Sequence, residues 1–250
     1  LNRAFEIAAR LGLVIAVHAE DDALVVANEK KYRGRAEFKT HSEIRNVEAA
    51  VKGSEKAISL AEKHGARLHI LHVTTKEEIP IIEAAKKKGI DVFAETSPHH
   101  MFLYDDAYET MGSLAQVNPP IRSRENAEGI VDGVRHGVID TIGSDHAPHT
   151  LEEKMQLYGK APSGISGIET MLPLLLTHFS PKEVQRLCVE NPRKIYNLKP
   201  NDDWVLVDSG CEKTVCDSMI LSNPGRTPFA GMKLKGWPKM VICQGKVFEL

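Results

Sequence analysis

The segment "IGSDHAPHT", residues 142–150, places Asp145, His146 and His149 directly after an apolar run. A carboxylate and neutral imidazoles are the donors that a catalytic divalent metal takes from a protein when one coordination position stays open for water. The same chemistry ends three other short apolar runs. His18 follows "LVIAV", His72 follows "RLHIL", and "IDVFAETS" carries Glu95 with His99 and His100 just beyond. Ligand sites in parallel α/β folds sit at the carboxyl ends of strands and draw on several of them. A lone strand-end histidine is an ordinary packed residue. Two on neighbouring strands, together with an aspartate, point to one shared metal site.

The elements that must hold these residues follow from the hydrophobic pattern. Strands are predicted at 13–20, "RLHILHVTT", "IDVFAETS" and "VIDTIGSD", alternating with helices. The helix "LNRAFEIAARLG" ends at Gly12, with Leu1, Phe5, Ala8, Ala9 and Leu11 expected to face inward. A long helix over 42–65 takes Ser42 as N-cap and Gly65 as terminator. Further helices are "KEEIPIIEAAKKKG", "SRENAEGIVDGVRHG", 166–178 and 181–197. The charge-rich stretch 29–39 reads as an exposed loop. Residues 150–165, punctuated by Gly159, Pro162 and Gly164, read as a mobile one.

Unbroken apolar strands alternating with helices define an α/β fold whose parallel sheet is buried on both faces, as in a barrel or a doubly wound sheet. The first strand-to-helix turn has no GxGxxG, which gives dinucleotide binding no support. From about residue 201 the texture changes to short β-like pieces, "WVLVD", "SMILS" and "KMVICQGKVFEL". The expected organisation is therefore a catalytic α/β unit over 1–200 and a small β module over 201–250.

Composition narrows the partners. Of 250 residues, 42% are apolar and 26% charged, with a net charge of −2, so no basic surface suggests nucleic acid. No stretch approaches the roughly 18 apolar residues of a membrane span. Cys188, Cys211, Cys216 and Cys243 form no CxxC pair and read as reduced thiols of a cytoplasmic protein.

With these residues in view, the chain resembles the dihydroorotases of the amidohydrolase superfamily, specifically the long type with "DHAPH" at its last barrel strand. That motif stands here as Asp145-His146-Ala147-Pro148-His149. Its companions follow in order: "VHAED" at 17–21, "LHVTT" at 71–75, "ETSPHH" at 95–100, "NPPIR" at 118–122 and "APSGISGIET" at 161–170. The resemblance covers essentially the whole chain, and the combination is specific where any single motif would be weak.

The resemblance implies a (β/α)8 barrel of which this chain carries the second half. His18 and His72 look like the fifth- and sixth-strand histidines that hold one metal of a binuclear zinc centre. Asp145 looks like the eighth-strand aspartate, a metal ligand and proton shuttle. Asn118 and His149 match substrate contacts, and the loop at Ser163 and Gly164 would add backbone hydrogen bonds. The implied substrates are dihydroorotate and N-carbamoyl-aspartate. The family's first-strand HxH pair, an arginine and a bridging carboxylate are expected before Leu1, so residues 1–250 alone are expected to be inactive and prone to associate.

Other polar residues carry plainer expectations. His99 and His100 are read as supporting groups, His146 as structural, and His69 as core or helix-facing. His41, His64, His136 and His178 are read as solvated or capping. Glu20 and Asp21 are candidates to orient His18. Two other functions stay open. One is an allantoinase or hydantoinase acting on another cyclic amide. The other is a non-catalytic scaffold that binds aspartate transcarbamoylase; a homo-oligomer is also possible. His149 and Asn118 speak for the first reading over the hydantoinases, and the intact ligands speak against the scaffold.

Overall fold

The computed structural model describes residues 1–223 and 225–250. Four parallel strands, β1 (Val14–Val17), β2 (Arg67–Ile70), β3 (Val92–Thr96) and β4 (Thr141–Ile142), pair in the order β1-β2-β3-β4. Helix α1 (Asn2–Leu11) precedes the sheet. Between β1 and β2 run α2 (Asp22–Lys31), α3 (Thr40–Ile44) and α4 (Val47–His64), and α5 (Glu78–Lys87) joins β2 to β3. Helices α6 (Pro98–Phe102), α7 (Ala107–Met111) and α8 (Arg124–Arg135) fill the connection to β4. After β4 come α9 (Leu151–Lys154), α10 (Ile168–His178), α11 (Pro181–Gln185) and α12 (Asn191–Tyr196), the last two linked by a π-helical turn at Arg186–Glu190.

The parallel register explains how the strand ends line up. Ile15 pairs with Leu68, Leu68 with Val92, and Thr96 with Ile142, so the carboxyl ends of neighbouring strands open on one side. Leu68, Ile70, Val92 and Ala94 are buried in the same core as Ala57 and Ala61 of α4 and Ile82 and Ala85 of α5. The small alanines let α4 lie close. At Gly53 the approach is closest, since a Cβ there would stand 2.5 Å from the Ala19 carbonyl carbon and 2.6 Å from the Glu20 nitrogen.

A three-stranded antiparallel sheet, β5 (Trp204–Thr214), β6 (Lys233–Cys243) and β7 (Lys246–Glu249), pairs in the order β5-β6-β7. It packs on α10, where the Lys235 amide donates to Thr177 Oγ1 at 3.0 Å and Gly236 lies against Leu176. Phe229, Leu234 and Trp237 join the main core.

Several local expectations change. The 42–65 helix is two helices: Asn46 breaks it and caps α4 by accepting from the Ala49 amide at 3.0 Å. Ser42 lies inside α3 and donates to the Ile121 carbonyl at 3.1 Å instead. The 29–39 stretch begins in α2, a helix with only Val25 buried and therefore no apolar stripe to reveal it. Gly12 does close α1 in the left-handed conformation, but Leu1 and Leu11 are 62% and 59% exposed because only one narrow side, with Phe5 and Ala8, meets α4 and β1. "SMILS" forms a 3-10 turn at Asp217–Met219, not a strand.

Candidate functional site

The carboxyl ends of β1 to β4 gather the residues marked out by the sequence. His18 follows β1 directly, and its Nδ1 lies 2.9 Å from Nε2 of His72, which stands just past β2. The two rings are hydrogen-bonded to each other. Two nitrogens bound to one tetrahedral zinc at ~2.0–2.1 Å would be about 3.3 Å apart, so a small separation of the pair would admit one ion. Burial, then the neighbouring His18 charge, pushes the His72 pKa down to about 4, and Asp145 partly offsets this. A neutral imidazole with a free lone pair is the form a metal needs.

His72 (φ 36°) and Asp145 (φ 44°) both occupy the left-handed region, which costs a non-glycine residue on the order of 1–3 kcal/mol. His99 and His100, at the start of α6, come in from β3. His99 Nε2 is 3.6 Å from Asp145 Oδ2, and one ligand atom from each of His99, His100 and Asp145 lies within 4.8 Å of the others. His100 is buried, and that burial holds its pKa well below the ordinary value. Among the described residues, neither nitrogen of His100, nor His99 Nε2, nor His72 Nδ1 has a hydrogen-bond partner. Buried imidazole nitrogens of His99 and His100 grouped with the Asp145 carboxylate are costly in a plain core and suit a metal-binding donor set. His99 and His100 thus join the candidate ligands directly, where the sequence reading made them supporting groups.

Glu20 settles the orientation of His18. Its carboxylate accepts from His18 Nε2 at 2.7 Å and from Arg45 Nη1, which leaves His18 Nδ1 facing His72. Burial alone would raise the Glu20 pKa, but the His18 hydrogen bond and the Arg45 charge outweigh it and hold the carboxylate ionised. Asp21 does not share this task; it caps α2 by accepting from the Leu24 amide at 3.0 Å. Glu95, on β3, is pushed up to about 7 by burial and then by the Asp145 charge.

The expected substrate contacts each have partners within the protein. Asn118 Oδ1 accepts from His41 Nε2 at 2.7 Å, which leaves Nδ2 as the donor end of its amide. His41 is therefore not solvated: it is 7% exposed, and it also donates to the Val117 carbonyl. His149 Nε2 donates to the Ser163 carbonyl at 3.1 Å, and Gly164 N donates to the Gln116 carbonyl at 2.8 Å. The N–H groups expected for the substrate from His149 and Gly164 are thus engaged within the protein, while Ser163 keeps a half-buried hydroxyl that accepts from Gln116 Nε2. Gly164 has φ 148°, and a Cβ there would meet the Ala147 carbonyl oxygen at 2.3 Å, so the close packing of this loop on the DHAPH segment requires glycine.

The remaining histidines have structural partners. His146 Nδ1 accepts from the Gly167 amide at 3.1 Å, the structural role expected of it. His69 is buried, with Nε2 3.2 Å from Thr141 Oγ1 and Nδ1 on the Tyr196 hydroxyl. His178 stacks on Phe102 with ring centroids 4.2 Å apart, so it is neither freely solvated nor a simple cap.

Residues 1–248 match the amidohydrolase family. A dihydroorotase of Anoxybacillus flavithermus is 34% identical over 265 residues, covering 99% of this chain and 60% of that protein. A dihydroorotase of Bacillus licheniformis is 35% identical over 260 residues with the same coverage. Among solved structures, the L-hydantoinase (dihydropyrimidinase) from Arthrobacter aurescens superposes with a TM-score of 0.92 at 28% identity, over 98% of this chain and 59% of that one. The chain belongs to the amidohydrolase family, with the (β/α)8 barrel type of fold, and spans about 60% of the length of the curated relatives it matches.

Proposed function

We propose that this chain carries the carboxyl-terminal part of a metal-dependent dihydroorotase, which interconverts N-carbamoyl-L-aspartate and L-dihydroorotate for pyrimidine synthesis in the cytoplasm. The observation that carries the reading is the His18–His72 pair, 2.9 Å apart at neighbouring strand ends, with the Asp145 charge acting on His72. His18, His72 and Asp145, with His99 and His100 adjacent, would hold the divalent metal, for which zinc suits the imidazole-rich donors. When bound, such an ion supplies Lewis-acid polarisation of the ring carbonyl and an acidified water as nucleophile.

The chain's own residues would do the rest. Asp145 accepts a proton on its carboxylate as the ring amide is attacked and returns it to the departing nitrogen. Glu20 and Arg45 keep His18 from rotating. Asn118, oriented by His41, offers Nδ2 to the ring or its carboxylate, and the Ser163 hydroxyl lies on the same loop. His149 would contact substrate only by exchanging its bond to the Ser163 carbonyl, and Gly164 shapes the loop more than it donates. A homo-oligomer or a complex with aspartate transcarbamoylase would be compatible with this reading.

The likeness to L-hydantoinase supports a second substrate class, the five-membered cyclic ureides. The test is to load the full-length protein with zinc and compare L-dihydroorotate, hydantoin and allantoin. Turnover of dihydroorotate at least tenfold more efficient than the others is expected. Preference for hydantoin or allantoin would transfer the site to the alternative, and no turnover of any would favour the scaffold.

A further inference from the structure

Lys154, the last residue of α9, is one of the most completely buried charged side chains, and neither the metal site nor the expected substrate contacts use it. It is 2% exposed, yet it has no carboxylate partner among the described residues. Its ammonium instead donates to three backbone carbonyls: Gly164 at 2.9 Å, Pro162 at 3.0 Å and Gln116 at 3.2 Å. An ammonium has three donors, and here each finds an acceptor, which is the arrangement that makes a buried unpaired cation tolerable.

The three carbonyls belong to two segments far apart in sequence. Gln116 lies two residues before Asn118, and Pro162 and Gly164 flank Ser163. The same junction is tied again by Gln116 Nε2, which donates to the Ala161 carbonyl at 3.0 Å and Ser163 Oγ at 3.1 Å, and by the Gly164 amide on the Gln116 carbonyl. Lys154 therefore stands where the Asn118 arm and the Ser163 arm of the expected substrate site meet. The N-terminal end of its short helix is fixed independently by the capping box of Thr150 and Glu153, one residue after His149. Residues 150–165 thus include a short helix and a buried anchor that polar composition concealed.

We propose that Lys154 is a positioning residue that sets the Asn118 and Ser163 arms relative to each other for recognition of a carboxylate-bearing cyclic amide. The substrate part of this inference rests on the dihydroorotase reading; the clamp itself does not. A shorter or uncharged side chain leaves three carbonyls without their shared donor and frees the loop to move away from Asn118. Arginine is no equivalent, because its planar fork cannot point at three carbonyls converging on one atom.

The experiment replaces Lys154 in the full-length protein by Met, which keeps most of the length and removes the charge, and by Arg. Hydrogen exchange of a peptide over 156–165 is expected to quicken about tenfold or more in Lys154→Met, in line with loss of charge-assisted hydrogen bonds, with exchange over β2 and α4 unchanged. KM for dihydroorotate is expected to rise about tenfold or more while kcat stays within about threefold and metal content stays whole; Lys154→Arg should recover part of the loss. Should Lys154→Met not fold, Lys154→Gln, with a shorter reach and one amide donor group, carries the same readouts with a smaller expected change. Unchanged exchange over 156–165 overturns the clamp. Quickened exchange with an unchanged KM, or a kcat loss as large as the KM rise, overturns the recognition role. A wild-type protein inactive on dihydroorotate counts against the dihydroorotase reading and with it the recognition role, while the exchange result still decides the clamp.

Discussion

A carboxylate can hold an imidazole still or carry a proton, and under the proposed function this site would have one for each task. Glu20 is buried, ionised and fastened by Arg45, so it orients His18 and has no proton to give. Asp145 stands at the strand end beside His99 and within the field of His72, where a transferred proton would arrive. Asp145→Asn is expected to lower turnover by ~10²–10⁴-fold while metal is still bound, as for loss of a general acid–base group. Retention of near-normal turnover would remove Asp145 from the chemistry. Glu20→Gln is expected to weaken metal binding by ~10–100-fold, measured by competition with a chelator, because the amide no longer fixes the His18 ring. His18, His72 and Asp145 could be singled out in the sequence because each stands at or just beyond the end of an apolar run. His41, Arg45 and Lys154 were not, because their partners lie 25 to 77 residues away or within a loop whose composition looks solvated.

At the scale of elements, α4 is the ruler that places the first strand end. Gly53 meets the Ala19 and Glu20 backbone with no room for a Cβ, and backbone cannot rotate aside as a side chain can. Gly53→Ala is therefore expected to destabilise the protein by ~1–3 kcal/mol, the range for overpacking a filled core, and to loosen metal binding by moving Glu20. Chemical unfolding and a metal titration would check the two effects. An unchanged midpoint would mean that α4 does not set this strand end. The alternation of β1 to β4 with α1, α4, α5 and α8 was readable from periodicity, and Gly12 and Gly65 marked two helix ends correctly. Helix α2 was not readable, since with only Val25 buried it has no apolar face. The break at Asn46 was concealed too, because Ser42 is an equally plausible cap and only the tertiary bond to Ile121 diverts it.

For the whole molecule, buried neutral histidines make folding sensitive to acid. Burial pushes His41 and His69 each down to about 4. An unfolded histidine titrates near 6.5, so between those values the unfolded chain binds more protons, and stability falls with falling pH. The contribution is complete above about pH 6.5 and lost as pH drops through about 4. For His41 it is on the order of 2–3 kcal/mol. Glu95, raised to about 7, works in the opposite sense, losing stability as pH rises, so the comparison must be made between variants. His41→Gln should show a flatter decline in stability from pH 6.5 to 4 than wild type; parallel curves would mean that His41 is not held neutral. The central claim, that the strand ends form one metal site, is tested most directly by anomalous diffraction at the zinc edge from crystals of the full-length protein grown with zinc. The account predicts a peak within coordination distance of both His18 Nδ1 and His72 Nε2, on the side facing Asp145. A fully occupied zinc site elsewhere, with His18 and His72 still bonded to each other, would contradict it.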